Sequence, residues 1–245
     1  MRRLIALLLT LSMLASLPFA LADEEDPTAK FSVYHGKRSE NKIAITVDDS
    51  YALDYTWMIR DLFHDLGVVG TFFPLGVMVH EEDGEEWQKI IDYGNEIGTH
   101  SYTHANLGKA NAWAIITSLG RAQQALDAAL GYHYQIQSFR PPYGATSDEN
   151  GSSRVFHSAV TTYGYEHAIF WDVSQTNPDI AINQVQNGSI LLYHARPKDY
   201  ECLKQLIPAL LEKGFELVTV SELVGMGPIE TSDELYVYDK SLYQK

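Results

Sequence analysis

Between residues 42 and 220 the sequence switches about seven times between short apolar runs and longer amphipathic stretches. No other feature constrains the fold so tightly. Strands are expected at 42–47, 68–74, 96–99, 135–140, 166–173, 189–194 and 215–220. Helices are expected at 55–66, 87–93, 110–130, 152–163, 180–186 and 200–213, four of them stopped by Gly67, Gly94, Gly131 and Gly214. A strand, a helix and a second strand make a parallel pair with a helical crossover. The expected class is therefore α/β, as a closed or nearly closed βα barrel or as an open doubly wound sheet. In both, functional residues gather at the C-terminal ends of the strands.

The flanks of this pattern differ from it. Residues 1–22 combine Arg2 and Arg3, an apolar run, and small residues at Ala20 and Ala22. That is the pattern of a cleavable signal peptide, with Asp23 as the first mature residue. The apolar run is short for a membrane anchor. A secreted, wall or periplasmic protein without membrane attachment after cleavage is expected. Residues 23–40 lead into one domain over 41–226, and 227–245 form an acidic, tyrosine-rich tail that either packs across the domain or hangs free. The acidic stretch 81–86 reads as a solvated loop. The lone Cys202 falls within an expected helix and rules out an intrachain disulfide. A net charge of −14 argues against nucleic acid or anionic lipid as partners. A monomer is expected.

Polar residues cluster where strands end. Asp48 and Asp49 close the first strand; His100 and His104 follow the third. Next come Arg140-Pro-Pro-Tyr143-Gly144, then Trp171-Asp172, and finally His194 after an apolar Ile-Leu-Leu-Tyr. Two neutral imidazoles four residues apart can grip one divalent cation, and two histidines with one carboxylate leave positions open for water. Asp48 and Asp49 cannot share one role, because neighbours on a strand point to opposite sides. An Asp-Asp pair is also an ordinary helix N-cap, and a lone histidine is usually a core or rim residue. Convergence on one mouth is what favours a metal site. No Gly-x-Ser-x-Gly elbow supports a serine hydrolase.

The ordered motifs TVDD (46–49), HSYTH (100–104), RPPYG (140–144), FWDVSQTNP (170–178) and LLYH (191–194) resemble those of the polysaccharide deacetylase family. Its NodB-homology domain is also called carbohydrate esterase family 4. The likeness runs from about residue 41 to 224. It implies a deformed, incomplete (β/α) barrel of about seven strands. It implies that Asp49, His100 and His104 hold a divalent metal, usually zinc, with cobalt, nickel or manganese as alternatives. Asp48 would be the general base for the attacking water, with Arg140 as its partner. The backbone N–H of Tyr143 would meet the oxyanion, and His194 would protonate the leaving amine. Tyr143, Leu192 and Trp171 would contact the substrate, Leu192 lining a pocket for the acetyl methyl.

The implied activity is N-deacetylation of a glycan, with peptidoglycan the first choice because an exported enzyme meets the wall. Chitin-like oligomers and O-acetylated xylan are the alternatives, as is a non-catalytic glycan-binding relative. A phosphodiester substrate fits poorly, since no cationic cluster lies at the mouth. Three departures stand out. Val47 replaces the family's Phe, and Ser50-Tyr51 follows the aspartates where the family has Gly. The fourth motif's Asp-Trp aligns with Asn177-Pro178. The carboxylate expected behind His194 is therefore open among Asp172, Asp179 and the altered Asn177.

Overall fold

The computed structural model describes residues 30–239 and 241; the expected signal peptide and the start at Asp23 lie outside the described residues. In chain order the elements are β1 (Ser32–Val33), β2 (Lys42–Asp49), α1 (Leu53–Asp65), β3 (Thr71–Pro74), α2 (Gly84–Asp92), β4 (Glu96–Ile97), α3 (Ala112–Leu130), β5 (His133–Tyr134), α4 (Arg154–Tyr163), β6 (Ala168–Ile169), α5 (Pro178–Gln184), β7 (Ile190–His194), α6 (Pro197–Glu212), β8 (Glu216–Leu217), α7 (Val220–Val224) and β9 (Thr231–Ser232).

β4, β3, β2 and β7 lie side by side and all run parallel, and β8 pairs with the start of β2. β2 is buried from Ile43 through Asp48, as a central strand covered on both faces must be. Beyond β4 the ring continues through single bridges: Thr99 to Phe139, Phe139 to Ala168, and Val173 to Leu191. The result is a βα barrel with strong ladders on one side and single contacts on the other. This is the deformed, incomplete barrel expected. Alternation along β3 sends Phe72 outward against Phe63 of α1, at 5.8 Å, and Phe73 inward beneath the Arg140 guanidinium, at 4.5 Å. Both rings are fully buried, and losing either would cost about 3–5 kcal/mol.

The helices cover the barrel through stripes at helical spacing. α6 buries Cys202, Leu203, Leu206, Ile207 and Leu210. α3 starts at Asn111, whose side chain accepts from the Ala114 N–H, and stops at Gly131, whose φ of 76° only glycine adopts easily.

The strands expected at 96–99 and 166–173 keep ladders only at Glu96–Ile97 and Ala168–Ile169, and two further expected strands are corrected. Residues 135–140 form no ladder apart from the bridges at Phe139. Their backbone finds other partners: the Ile136 N–H donates to the Gln123 side chain, and the Gln135 N–H to Glu230 O. Pro141 and Pro142, which lack an N–H, then end any pairing. The last expected strand shrinks to β8, because Thr219 caps a helix that begins at Val220. The tail packs across the domain as far as it is described. β9 pairs antiparallel with β5, and the Tyr238 ring lies over Gly120, where a side chain would collide with it. The Tyr238 hydroxyl meets Thr117 Oγ1 at 2.9 Å, and the Tyr236 N–H donates to buried Asp127.

Candidate functional site

β2 carries two aspartates into the cleft and then turns sharply. Asp49 and Ser50 have φ of 73° and 60°, so the chain leaves the strand direction at this point. Asp48 stays in register between Phe73 and His194, while Asp49 swings toward the loop after β4. Ser101 and His104 in that loop, and Tyr143 in the next, are also left-handed, at 73°, 60° and 61°. Among the described residues these five are all the non-glycine positions with positive φ. Each costs on the order of 1–2 kcal/mol, and such strain persists only where surrounding structure imposes it.

Asp49 Oδ1 lies 3.4 Å from His104 Nε2 and 3.6 Å from His100 Nε2. The candidate ligand atoms of Asp49, His100 and His104 all fall within 4.8 Å of one another. Asp49 Oδ1 is buried and has no hydrogen-bond partner among the described residues. His100 Nδ1 lies 2.8 Å from the Arg140 carbonyl oxygen. A carbonyl only accepts, so the ring's proton sits on Nδ1 and the Nε2 lone pair faces Asp49. Burial, the larger effect, pushes the His100 pKa below its usual value against the pull of Asp48 and Asp49. A neutral imidazole with a free lone pair beside an unpartnered carboxylate oxygen fits a divalent cation.

Asp48 is set differently. Its Oδ1 accepts from Arg140 Nη1 at 2.7 Å, and its Oδ2 lies 3.8 Å from His100 Nε2. Arg140 is wholly buried, with four of its five N–H groups bonded. It also donates to Thr46 Oγ1 at 2.6 Å, to Phe170 O at 3.0 Å and to Ile169 O at 3.3 Å. Burial pushes its pKa down and Asp48 opposes the shift; a guanidinium stays charged even so. Thr46 passes the contact on by donating to Leu191 O at 2.7 Å. Trp171 is half-buried, with the guanidinium 5.6 Å from its ring centre. Leu192 is buried on β7, in register with Thr46. Tyr143 is exposed, and its ring stands edge-on to His104 at 4.4 Å.

His194 ends β7 with Nε2 3.9 Å from Asp49 Oδ2. None of the three partners considered from sequence lies against its ring. Asp172 is held by Arg38 at 2.6 Å, by Ser189 Oγ and by the Ile190 N–H. Asn177 caps α5 by accepting from the Ile180 N–H, and Asp179 is exposed in that helix's first turn. Helix capping is the physical reason: the end of the fourth motif is spent on starting α5. His194 Nδ1 instead meets Arg196 Nη2 at 2.6 Å. The sequence reading missed Thr46, Arg196 and Asp199. For the last two the readable signal was a helix start, Arg-Pro-x-Asp, directly after His194.

Comparison with known proteins agrees with this geometry. Residues 35–168, more than half of the 245-residue chain, match the polysaccharide deacetylase family model. A peptidoglycan-N-acetylglucosamine deacetylase of Bacillus cereus is 26% identical over 203 residues, covering 78% of this chain and 70% of its own. A bifunctional xylanase/deacetylase of Pseudobutyrivibrio xylanivorans is 28% identical over 83% of this chain, which spans only 34% of that protein. A pseudoenzyme of carbohydrate esterase family 4 from Bacillus anthracis superposes with a TM-score of 0.67 at 25% identity, over 79% of this chain and 68% of its own. The chain belongs to the polysaccharide deacetylase family.

Proposed function

We infer that this protein is a metal-dependent deacetylase that removes N-acetyl groups from an exported glycan, with peptidoglycan aminosugars as its substrate. The observation that carries the reading is the unpartnered Asp49 Oδ1 between two imidazole Nε2 atoms. Asp49, His100 and His104 would hold the ion, and a donor set of two nitrogens and one oxygen suits zinc. A bound divalent ion acidifies water toward a pKa of about 7 and polarises a carbonyl.

The chain's own groups do the rest. Asp48, oriented by Arg140 through Oδ1, takes the proton of the attacking water on Oδ2. The oxygen bonds to the acetyl carbon, and the Tyr143 N–H, set by its left-handed backbone, faces the developing oxyanion. His194 Nε2, on the far side of Asp49, faces the departing nitrogen. Breakage of the C–N bond releases acetate and a free sugar amine. Leu192 lies beneath the acetyl methyl, and Trp171 and Tyr143 border the sugar. The apolar, small-residue start of the chain supports export, and the acidic charge suits a neutral glycan rather than nucleic acid.

The relative with xylanase and deacetylase activities makes O-acetylated xylan the second substrate to test. Acetate release is measured from peptidoglycan, chitin oligomers and acetylated xylan, after chelation and after return of zinc, cobalt, nickel or manganese. Peptidoglycan should give the fastest release, lost on chelation and best restored by zinc. No acetate from any of them with metal restored would overturn the reading and favour a non-catalytic relative, as in the Bacillus anthracis pseudoenzyme.

A further inference from the structure

We infer that Arg196 is a positioning residue that holds His194 in one tautomer, with the ring proton on Nε2. The inference rests on His194 acting in the cleft of the proposed deacetylase. Arg196 Nη2 lies 2.6 Å from His194 Nδ1. A guanidinium can only donate, so Nδ1 is the acceptor and carries no proton. The ring's remaining proton sits on Nε2, which lies 3.9 Å from a carboxylate oxygen, Asp49 Oδ2. A donor-only group on one nitrogen and an acceptor on the side of the other select the same tautomer.

The arrangement is anchored. Arg196 is more than half exposed, yet its Nε donates to Asp199 Oδ2 at 3.1 Å, and Asp199 is buried. The other oxygen of Asp199 accepts the backbone N–H of His194 at 3.1 Å. Asp199 stands in the first turn of α6, so the start of that helix fixes both the backbone of His194 and the arm that grips its ring. Asn177, the position where a carboxylate was expected behind the ring, is occupied with capping α5.

The replacement reverses the chemistry behind the ring. A carboxylate would accept from Nδ1–H and leave Nε2 as the acceptor; a guanidinium donates to Nδ1 and leaves the ring proton on Nε2. His194 then enters the reaction as a hydrogen-bond donor from Nε2 to the acetamide. The proton that Asp48 takes from water passes to the departing nitrogen, which leaves as the free amine, and the acetic acid formed loses its own proton to solvent as acetate, so atoms and charge balance.

The test is nitrogen NMR of the zinc-loaded protein labelled in histidine, with His194→Gln identifying the ring's signals. Wild type should show His194 Nδ1 unprotonated and Nε2 protonated. Arg196→Ala should lose that fixed pattern and lower kcat for acetate release about 10-fold, the scale for groups that orient a catalytic ring, at unchanged KM. Zinc content should stay at the wild-type value, Tm should fall by a few degrees because Asp199 Oδ2 loses its partner, and Arg196→Lys, still a donor, should recover part of the losses in ring pattern and kcat. A protonated Nδ1 in wild type would overturn the inference, as would an unchanged ring pattern in Arg196→Ala. Should no glycan yield acetate, the deacetylase reading fails, while the ring pattern still decides the role of Arg196.

Discussion

Two carboxylates sit in the barrel wall at opposite ends, and their surroundings are opposite too. Glu96, at the start of β4, is 1% exposed and fully satisfied. Its Oε1 accepts from Ser138 Oγ at 2.6 Å and Ser221 Oγ at 2.8 Å; its Oε2 accepts from the Ser221 N–H at 2.9 Å and Thr71 Oγ1 at 3.1 Å. Asp49, at the end of β2, keeps one buried oxygen without a partner, on a backbone in the left-handed region. The lower end uses its carboxylate to tie β3, β4 and α7 together. The upper end holds its carboxylate in a costly state that a ligand can relieve. In a parallel barrel this division follows from strand direction, with stability at the strands' starts and chemistry at their ends.

The sharpest way to break the comparison is to change the two neighbouring aspartates separately. Asp49→Ala should remove bound zinc and at least ~10³ of activity, about 4 kcal/mol of barrier. In chelator its Tm should match or exceed wild type, because an unsatisfied buried oxygen has gone. Asp48→Asn should keep zinc and lower kcat about 10²-fold, the scale of a general base. Metal analysis with single-turnover rates checks both. If Asp48→Asn loses zinc and Asp49→Asn keeps it, the two roles are exchanged.

The same contrast explains what could be read from sequence. The alternation of apolar runs revealed the barrel because burial of β2, β3 and β7 is a local pattern with a period. It also brought Asp48, Asp49, His100, His104, Arg140 and His194 to one mouth, since strand ends are legible once strands are. What escaped depends on non-local geometry. The left-handed backbone at Ser101 and Tyr143 runs against the preferences of those residues, so only the folded loops impose it. The strand expected at 135–140 dissolved because a side chain of the preceding helix, Gln123, and the distant Glu230 carbonyl took its backbone bonds. The helix start after His194 was legible, but the grip of Arg196 on its ring depends on how a long side chain crosses two residues.

Glu96→Gln tests the lower end. The carboxamide would turn an NH2 group toward two of the four donors now aimed at the carboxylate, so that each must lose its bond or, if a hydroxyl, turn its proton away to accept. The expected cost is about 2 kcal/mol, seen as a Tm lower by about 4–8 °C for a domain of this size. Thermal melts in chelator read this without the contribution of bound metal. Zinc affinity and kcat per folded molecule should stay at wild-type values. A fall in kcat at unchanged metal content would mean that the two ends are mechanically coupled, and the division drawn above would fail.

The smallest expected effect sharpens the comparison most, because it separates strain from function within the upper end. Ser50 has φ of 60° and a buried hydroxyl with no hydrogen-bond partner among the described residues. A left-handed serine costs about 1–2 kcal/mol, and glycine would remove that while adding about 0.5–1 kcal/mol of unfolded-state entropy. Removing the unpartnered hydroxyl adds to the gain. Ser50→Gly should therefore stabilise the protein by about 1 kcal/mol, or about 2–4 °C in Tm. The same substitution at Asp49 or His104 would relieve strain but delete a ligand, so those positions must stay strained. If Ser50→Gly gains stability and keeps its zinc affinity and kcat, the strain at Ser50 is a by-product of turning the chain at Asp49. If it gains stability but loses zinc affinity, the turn needs the stiffness of a side chain at position 50, and strain is then part of how the site holds its metal.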